Sequence, residues 1–146
     1  MSSRLIKTRF IAPYSAAGKT NLAFCERFAG VYIIKNNRGV ITYIGYSASN
    51  LYKTITRHFQ SWKDKAQVRV TYPQTAGYTV RVVITTPERA AALEKALIVK
   101  YKPTDNPNKL ALYSPTKYET AVMGWYEEEP VIPVAKHSTL PDEAPF

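Results

Sequence analysis

The sequence predicts a small α/β domain, in which a β-hairpin is followed by alternating helical and extended segments. Gly30–Tyr46 contains two runs of β-forming residues around the turn Asn-Asn-Arg-Gly. Apolar residues then recur at steps of three and four over residues 51–63 and 87–101, the period of a helix with one buried face. A chain of 146 residues that is 45% hydrophobic suits one domain with its own core.

The first helix follows the hairpin directly. Ser49 or Asn50 is a suitable N-cap, and we expect the helix to span residues 51–63. Its inward face carries Leu51, Ile55, His58, Phe59 and Trp62. By itself an inward histidine is more often a satisfied core residue than a base, and the basic residues around such a helix most often form a solvated face.

Two further strands and a second helix complete the pattern. The strands are predicted at Val68–Tyr72 and Tyr78–Ile84, on either side of a turn that contains proline and glycine. A threonine cap with proline and glutamate in the first turn predicts the helix 87–101, which Pro103 ends.

The parts outside this pattern define the domain organisation. Residues 1–27 are interpreted as an N-terminal extension, 28–110 as the domain, and 111–126 as a C-terminal extension that packs on it. Residues 127–146 are rich in proline and acid and are predicted to be a flexible tail.

The charge distribution favours a polyanionic partner. Residues 1–126 carry nineteen basic and six acidic residues, which gives this part a net charge of +13. Such a body suits nucleic acid, although a merely soluble basic protein is the alternative.

Composition also excludes several other classes of protein. No apolar run approaches the roughly 20 residues of a membrane span, and no apolar signal-peptide core follows the N-terminus. The single cysteine, Cys25, excludes an internal disulfide and a cysteine zinc site. We therefore expect a cytoplasmic protein without a membrane partner.

A glutamate on the second helix is the first candidate for chemistry. Glu94 lies on or beside the apolar stripe formed by Ala90, Leu97, Ile98 and Tyr101. Because burial of an unpaired carboxylate is costly, it should meet a cation, a metal or hydrogen-bond donors. The alternative is a boundary glutamate that reaches water or pairs with a lysine.

Several short motifs occur in a characteristic order along the chain. They are Gly30-Val31-Tyr32, Tyr43-Ile44-Gly45, a helix ending in His58-Phe59, then Glu94 and Asn106. This arrangement resembles the GIY-YIG nuclease family over roughly residues 28–110. The spacing of the two tyrosines, and that from Glu94 to Asn106, is similar to the excision-repair branch, whereas the histidine-phenylalanine pair is similar to the homing-endonuclease branch.

The resemblance implies a fold. The family forms a small sandwich in which helices flank a central antiparallel sheet of three strands. The predicted strands Gly30–Lys35, Ile41–Tyr46 and Tyr78–Thr85 match these three, so that Val68–Tyr72 would be an added strand.

The resemblance also implies metal-dependent hydrolysis of DNA phosphodiester bonds. By this likeness Glu94 would bind Mg²⁺ or Mn²⁺, and Tyr32, with His58 beside it, would act as general base or position the water. Tyr43 would orient the phosphate or the water, and Asn106 would support the site through its amide.

One position departs from the family pattern. The family places an arginine one helical turn before the histidine, where this chain has Thr54. Arg57 is the expected substitute, with Lys53 behind it. A weakly active or inactive nucleic-acid-binding module is therefore the alternative function.

The predicted nucleic-acid contacts are basic residues on and after the first helix. They are Lys53, Lys63, Lys65 and Arg69. DNA is the expected substrate, with RNA left open, and a protein partner could supply specificity. The substrate structure, and whether the chain acts in DNA repair or in recombination, are left open.

Overall fold

The computed structural model describes residues 5–60, 70–106, 110 and 112–132. Its centre is one sheet of five strands, in the order β3-β2-β4-β1-β5. The strands are β1 (Ile6–Thr8), β2 (Gly30–Lys35), β3 (Ile41–Ser47), β4 (Thr79–Ile84) and β5 (Val131–Ile132). The helices are α1 (Leu51–Thr56), α2 (Pro87–Tyr101) and α3 (Lys117–Glu128), with short 3₁₀ turns at Ala23–Cys25 and Arg57–Phe59.

The predicted hairpin is confirmed as β2 and β3. The strands are antiparallel, and Tyr32 lies opposite Gly45. Asn36 closes the turn, because its side-chain oxygen accepts hydrogen bonds from the backbone N–H groups of Arg38 and Val40 at 2.9 and 3.0 Å. Gly39 completes the turn with a φ of +80°, a conformation that favours glycine.

The sheet separates two hydrophobic layers, because successive side chains of a strand point to opposite faces. Val31 and Ile33 of β2 belong to the layer under α2 and α3. Tyr32 and Ile34 belong to the opposite layer, which α1 covers. The antiparallel core of β3, β2 and β4, flanked by helices, confirms the predicted fold class.

Helix α2 has the predicted bounds. Its N-cap, Thr86, accepts a hydrogen bond from the backbone N–H of Arg89, and Pro87 occupies the first turn. The helix ends where Lys102 adopts a left-handed conformation with a φ of +46°, directly before Pro103. Glu94 therefore has a rigid helical backbone on both sides.

The first helix is shorter than predicted. α1 ends at Thr56, the 3₁₀ turn Arg57–Phe59 follows, and Gln60 is already extended. The Thr54 and Thr56 hydroxyls donate to carbonyls of the preceding turn, a pattern that weakens helix continuation. The predicted continuation to Lys63 falls on residues outside the described part.

The strand predicted at Val68–Tyr72 is not observed where the structure describes it. Residues 70–72 belong to no strand, and Val68 and Arg69 lie outside the described residues. The backbone N–H of Tyr72 instead donates to the carbonyl of His58 at 2.6 Å, so this segment pairs with the end of the α1 region.

Two further strands, β1 and β5, lie on the side of β4 away from β2. β1 pairs with β4 in antiparallel orientation, and β5 pairs with β1 in parallel orientation. Arg81 and Thr8 fasten β1, since the Arg81 Nε donates to the Thr8 carbonyl at 2.9 Å and the Thr8 hydroxyl accepts from the Val82 N–H at 3.0 Å.

The C-terminal part is ordered further than the sequence predicted. A capping box between Thr116 and Glu119 starts α3, which packs on α2 and extends to Glu128. Val131–Ile132 then forms β5, so a flexible tail beginning at residue 127 does not agree with the structure over residues 127–132. Residues 133–146 lie outside the described part. Among the described residues, no helix has the length and apolarity needed to cross a membrane.

Candidate active site

A buried hydrogen bond joins Tyr32 of β2 to His58 of the 3₁₀ turn. The Tyr32 hydroxyl lies 2.9 Å from the His58 Nε2, and both side chains are buried. The other ring nitrogen, Nδ1, lies 2.9 Å from the carbonyl oxygen of Val70. Because a carbonyl only accepts, Nδ1 carries the hydrogen, and in the neutral ring Nε2 is the acceptor for the Tyr32 hydroxyl.

The pKa values of this pair favour the neutral forms of both groups. Burial lowers the pKa of His58, against a smaller opposing effect of the Val70 hydrogen bond. Burial raises the pKa of Tyr32 well above its ordinary value, with further increases from Tyr43 and Glu94. Tyr32 is therefore a phenol at neutral pH, and it can accept a proton only if it passes its own to His58.

Two glycines leave the space that close packing in and beside this pair requires. A Cβ on Gly45 would overlap the Tyr32 hydroxyl. A Cβ on Gly30 would overlap the Val83 carbonyl and lie 2.8 Å from a methyl group of Leu51. The glycines of both short motifs therefore have steric roles, one beside the Tyr32 hydroxyl and the other between the sheet and α1.

The second tyrosine extends the ring cluster. The Tyr43 ring centroid lies 4.6 Å from that of His58 and 6.2 Å from that of Tyr32, with an angle of 16° between the two tyrosine planes. Tyr43 is only half-buried, so it is the ring of this cluster with the most access to solvent. This agrees with a role at the surface where a substrate would bind.

Glu94 contributes a carboxylate with an unusual pKa. Burial raises its pKa to about 7, against a smaller lowering by the charge of Lys95. Its charge in turn raises the pKa of Tyr32, which ties α2 electrostatically to the tyrosine–histidine pair. A desolvated carboxylate of this kind gains from a bound cation, because the cation favours the ionised form.

The donor set around Glu94 fits a hard divalent ion. In the ranges that the structure describes, no three His, Cys, Asp or Glu residues come together. Mg²⁺ keeps several waters and binds through one or two carboxylates together with substrate phosphates. One half-buried carboxylate is consistent with that mode and not with a site in which protein supplies all ligands.

Asn106 holds the strand that carries Tyr43 and Gly45. Its side-chain oxygen accepts from the backbone N–H of Ile44, and its side-chain nitrogen donates to the Ile44 carbonyl, each at 2.8 Å. Both backbone groups of Ile44 are therefore fixed by one amide, between the two site residues of β3.

Of the basic residues expected at the site, the structure describes only Arg57 and Lys53. The Thr54 hydroxyl donates to the Asn50 carbonyl at 3.1 Å, so this side chain is turned onto its own helix. Arg57 is exposed, and its charge lowers the pKa of Tyr32, although less than the other influences raise it. Lys53 is exposed on α1. Lys63, Lys65 and Arg69 lie outside the described residues.

Sequence reasoning missed three contributors to this site. The Val70 carbonyl holds His58, and the Tyr72 hydroxyl donates to the Asp105 Oδ2 at 2.7 Å. A backbone carbonyl carries no residue signature, and Tyr72 fitted a strand pattern. Asp105 could have been noticed only as the neighbour of Asn106.

Comparison with known proteins covers the part of the chain that carries this site. Residues 28–111 match the GIY-YIG catalytic domain, which covers more than half of the chain and confirms the resemblance. UvrABC system protein C of Bacteroides thetaiotaomicron is 38% identical over 77 residues, which cover 53% of this chain but only 12% of that protein. No solved structure gives a significant match.

Proposed function

Because the chain belongs to the GIY-YIG family of nucleases, we propose that it is a metal-dependent DNA endonuclease that hydrolyses phosphodiester bonds. The observation that carries the proposal is the 2.9 Å hydrogen bond from Tyr32 to the unprotonated nitrogen of a buried, neutral His58. A proton acceptor of this kind, beside a desolvated Glu94, is what hydrolysis by an activated water needs.

The proton path follows from the hydrogen-bond directions. His58 Nε2 accepts the Tyr32 proton as the Tyr32 oxygen accepts one from water. The water oxygen then forms its bond to phosphorus, the bond from phosphorus to the 3′-oxygen breaks, and that oxygen takes a proton from solvent. After cleavage the extra proton resides on His58 and returns to solvent. Tyr32 is regenerated as a phenol, in keeping with its raised pKa.

The remaining residues hold the substrate and its charge. Tyr43, half-buried beside His58, orients the phosphate or the water. Arg57 supplies the positive charge that Thr54 lacks, with Lys53 on the same helix as a phosphate contact. A Mg²⁺ or Mn²⁺ ion held by Glu94 would stabilise the charge on the leaving 3′-oxygen.

The substrate class rests on the charge of the chain. A net charge of +13 over residues 1–126, from nineteen basic and six acidic residues, favours a nucleic acid, and the likeness to the GIY-YIG nucleases implies DNA. RNA is the competing substrate. Phosphate contacts alone carry no sequence information, so specificity would come from substrate shape or from a protein partner.

The second candidate is a nucleic-acid-binding module that cleaves weakly or not at all. One observation favours it: Thr54 stands where the family has an arginine, and its hydroxyl is engaged within α1. A threonine cannot neutralise phosphate charge as a guanidinium does. In this candidate the same surface binds nucleic acid, and only the rate of cleavage is lost.

The test is cleavage of labelled duplex, nicked, flap and four-way-junction DNA, with single-stranded RNA beside them, in Mg²⁺ and in Mn²⁺. Wild type is compared with Glu94→Ala and with Glu88→Ala, which removes an exposed carboxylate from the first turn of the same helix. Binding is measured on the same samples.

Cleavage by wild type and Glu88→Ala, with binding but no cleavage by Glu94→Ala, supports the nuclease and the role of Glu94. Equal binding by all three proteins without cleavage of any substrate favours the binding module. Cleavage that is undiminished in Glu94→Ala would contradict the metal assignment.

A further inference from the structure

A chain of hydrogen bonds surrounds His58 on the side away from Tyr32. The Tyr72 hydroxyl donates to the Asp105 carboxylate at 2.7 Å, and the Tyr72 backbone N–H donates to the His58 carbonyl at 2.6 Å. Val70, two residues earlier, accepts the His58 Nδ1–H at 2.9 Å. The segment 70–72 is thus held at one end by the histidine and at the other by the loop after α2.

That loop is itself anchored to β3. The Asp105 backbone N–H donates to the Thr42 carbonyl at 2.8 Å, and Asn106 holds both backbone groups of Ile44. The Tyr72 ring also stacks on that of Tyr78, with centroids 4.5 Å apart and planes at 28°. Tyr72 therefore connects a rigid part of the sheet to a segment without regular secondary structure.

From these contacts we infer that Tyr72 and Asp105 form a positioning pair, which holds the Val70 carbonyl under His58 and so selects the histidine tautomer that accepts the Tyr32 proton. The inference rests on the proposed function in one respect, because the consequence for rate requires that the Tyr32–His58 pair does chemistry. The consequence for the tautomer does not depend on it.

The physical reason lies in the two nitrogens of the imidazole ring. A neutral ring carries one hydrogen, and the hydrogen bond made by one nitrogen decides which state the other takes. If Val70 moves away, nothing in the described contacts keeps the hydrogen on Nδ1. A ring with its hydrogen on Nε2 has no lone pair for the Tyr32 hydroxyl, so the proton path would be closed.

The pair is suited to a constant positioning role. Burial raises the pKa of Tyr72, and the hydrogen bond and charge of Asp105 raise it further, against a lowering by a Thr42 hydrogen bond. Tyr72 therefore keeps its proton, and its donor role, throughout the working pH range. Asp105 is exposed, so its substitution leaves the hydrophobic core intact.

The experiment records long-range ¹H–¹⁵N correlations of the histidine ring nitrogens, which distinguish a protonated from an unprotonated nitrogen. The chain has two histidines, His58 and His137, and a His137→Gln variant assigns the signals. The test variants are Tyr72→Phe and Asp105→Ala. Asp105→Asn retains an acceptor oxygen and serves as the conservative rescue.

A matched control comes from elsewhere in the fold. The Tyr113 hydroxyl donates to the Glu119 carboxylate at 2.8 Å near the start of α3, so Tyr113→Phe removes the same kind of bond at a different place. Steady-state cleavage is measured on all variants, with kcat and KM determined separately.

We expect wild type, Asp105→Asn and Tyr113→Phe to show hydrogen on Nδ1 alone. Tyr72→Phe and Asp105→Ala should show both tautomers, with kcat lowered about tenfold or more and KM unchanged, as for other outer partners that orient a functional histidine. If Tyr72→Phe fails to fold, Asp105→Ala decides the matter.

Retention of the wild-type nitrogen pattern in both test variants would overturn the inference, whatever the activities are. A changed pattern in the test variants, together with a wild type that cuts no substrate, would leave the positioning role standing and count against the proposed function. The two failures are therefore distinguishable.

Discussion

The two faces of the central sheet are built on different principles. The face under α2 and α3 is closed by long helices and aliphatic side chains, such as Ile33, Leu93 and Leu97, which are fully buried. The face under α1 is closed by a helix of six residues and a 3₁₀ turn, and its layer includes Tyr32, with His58 bonded to it. Both faces therefore have a buried hydrophobic layer, and the face under α1 also holds the tyrosine–histidine pair through hydrogen bonds.

The largest expected effect comes from removing one oxygen on the α1 face. Tyr32→Phe deletes the hydroxyl that bonds to His58 but keeps the ring, so we expect kcat to fall by about 10²–10⁴-fold. The free energy of unfolding should change by only about 1 kcal/mol, the usual value for one hydrogen bond. Steady-state cleavage and urea unfolding on the same samples measure both quantities.

Tyr126→Phe is the corresponding control on the opposite face, where the Tyr126 hydroxyl accepts from Arg81 at 3.1 Å. It should unfold at a urea concentration similar to that of Tyr32→Phe and retain wild-type kcat. An equal loss of activity in both variants would mean that the two faces do not divide their roles in this way.

The next effect belongs to the face under α2. Leu93→Ala leaves a cavity in a fully buried position, and we expect it to lower the free energy of unfolding by about 2–5 kcal/mol. At temperatures where the variant is folded, kcat should stay close to that of wild type. Urea unfolding followed by circular dichroism checks the first expectation. A folded Leu93→Ala protein with kcat reduced as far as in Tyr32→Phe would contradict the comparison.

The charge of Glu94 on α2 affects the pKa of Tyr32, and the raised pKa of Glu94 itself predicts a pH-dependent stability. Its pKa is about 7 in the folded protein, above the ordinary carboxyl value of 4.5. The stability that the protonated form contributes is fully present below pH 4.5 and is lost as the pH rises to 7. This loss is about 3 kcal/mol in the free energy of unfolding. Glu94→Gln cannot titrate, so the wild-type stability should fall relative to this variant across that window.

Wild type and Glu94→Gln also test, without any cleavage assay, whether Glu94 binds a metal ion. At pH 8, Mg²⁺ should raise the melting temperature of wild type, because a ligand that binds only the folded state stabilises it. Glu94→Gln should respond less. Parallel stability curves for the two proteins from pH 4 to pH 8 would show that Glu94 does not titrate as its burial implies.

The smallest effect concerns the clamp on β3. Asn106→Ala removes two hydrogen bonds to the Ile44 backbone, and we expect a loss of about 1–2 kcal/mol in the free energy of unfolding. Asn50→Ala, which removes the N-cap of α1, is a control of similar size on the other side of the site. Urea unfolding measures both. A loss above that of Leu93→Ala would show that the loop after α2 contributes more than its two bonds.

Much of the fold was accessible from local sequence pattern. The hairpin around Asn36 and Gly39 and the helix capped by Thr86 are determined by short-range chemistry, so periodicity and turn residues predict them. The position of Glu94 on an apolar stripe follows from the same periodicity, and the likeness to a family joined it to Tyr32, Tyr43 and His58.

The errors concern features that depend on distant partners. β1 and β5 have three and two residues, too few for a period, and they form strands only because β1 has β4 as a neighbour and β5 has β1. Segment 70–72 alternates as a strand would, yet its backbone bonds go to the end of the α1 region. The hydrogen bond between Tyr72 and Asp105 likewise joins residues far apart in the sequence.

The position of β3 at one end of the sheet has a consequence for self-association. A strand in that position presents backbone groups to which another chain could add a strand of its own, which is a common route to aggregation. Asn106 and Asp105 occupy those groups at Ile44 and Thr42. The loop that steadies the site therefore also keeps a second molecule from extending the sheet, so variants that loosen it should be examined for loss of solubility as well as loss of cleavage.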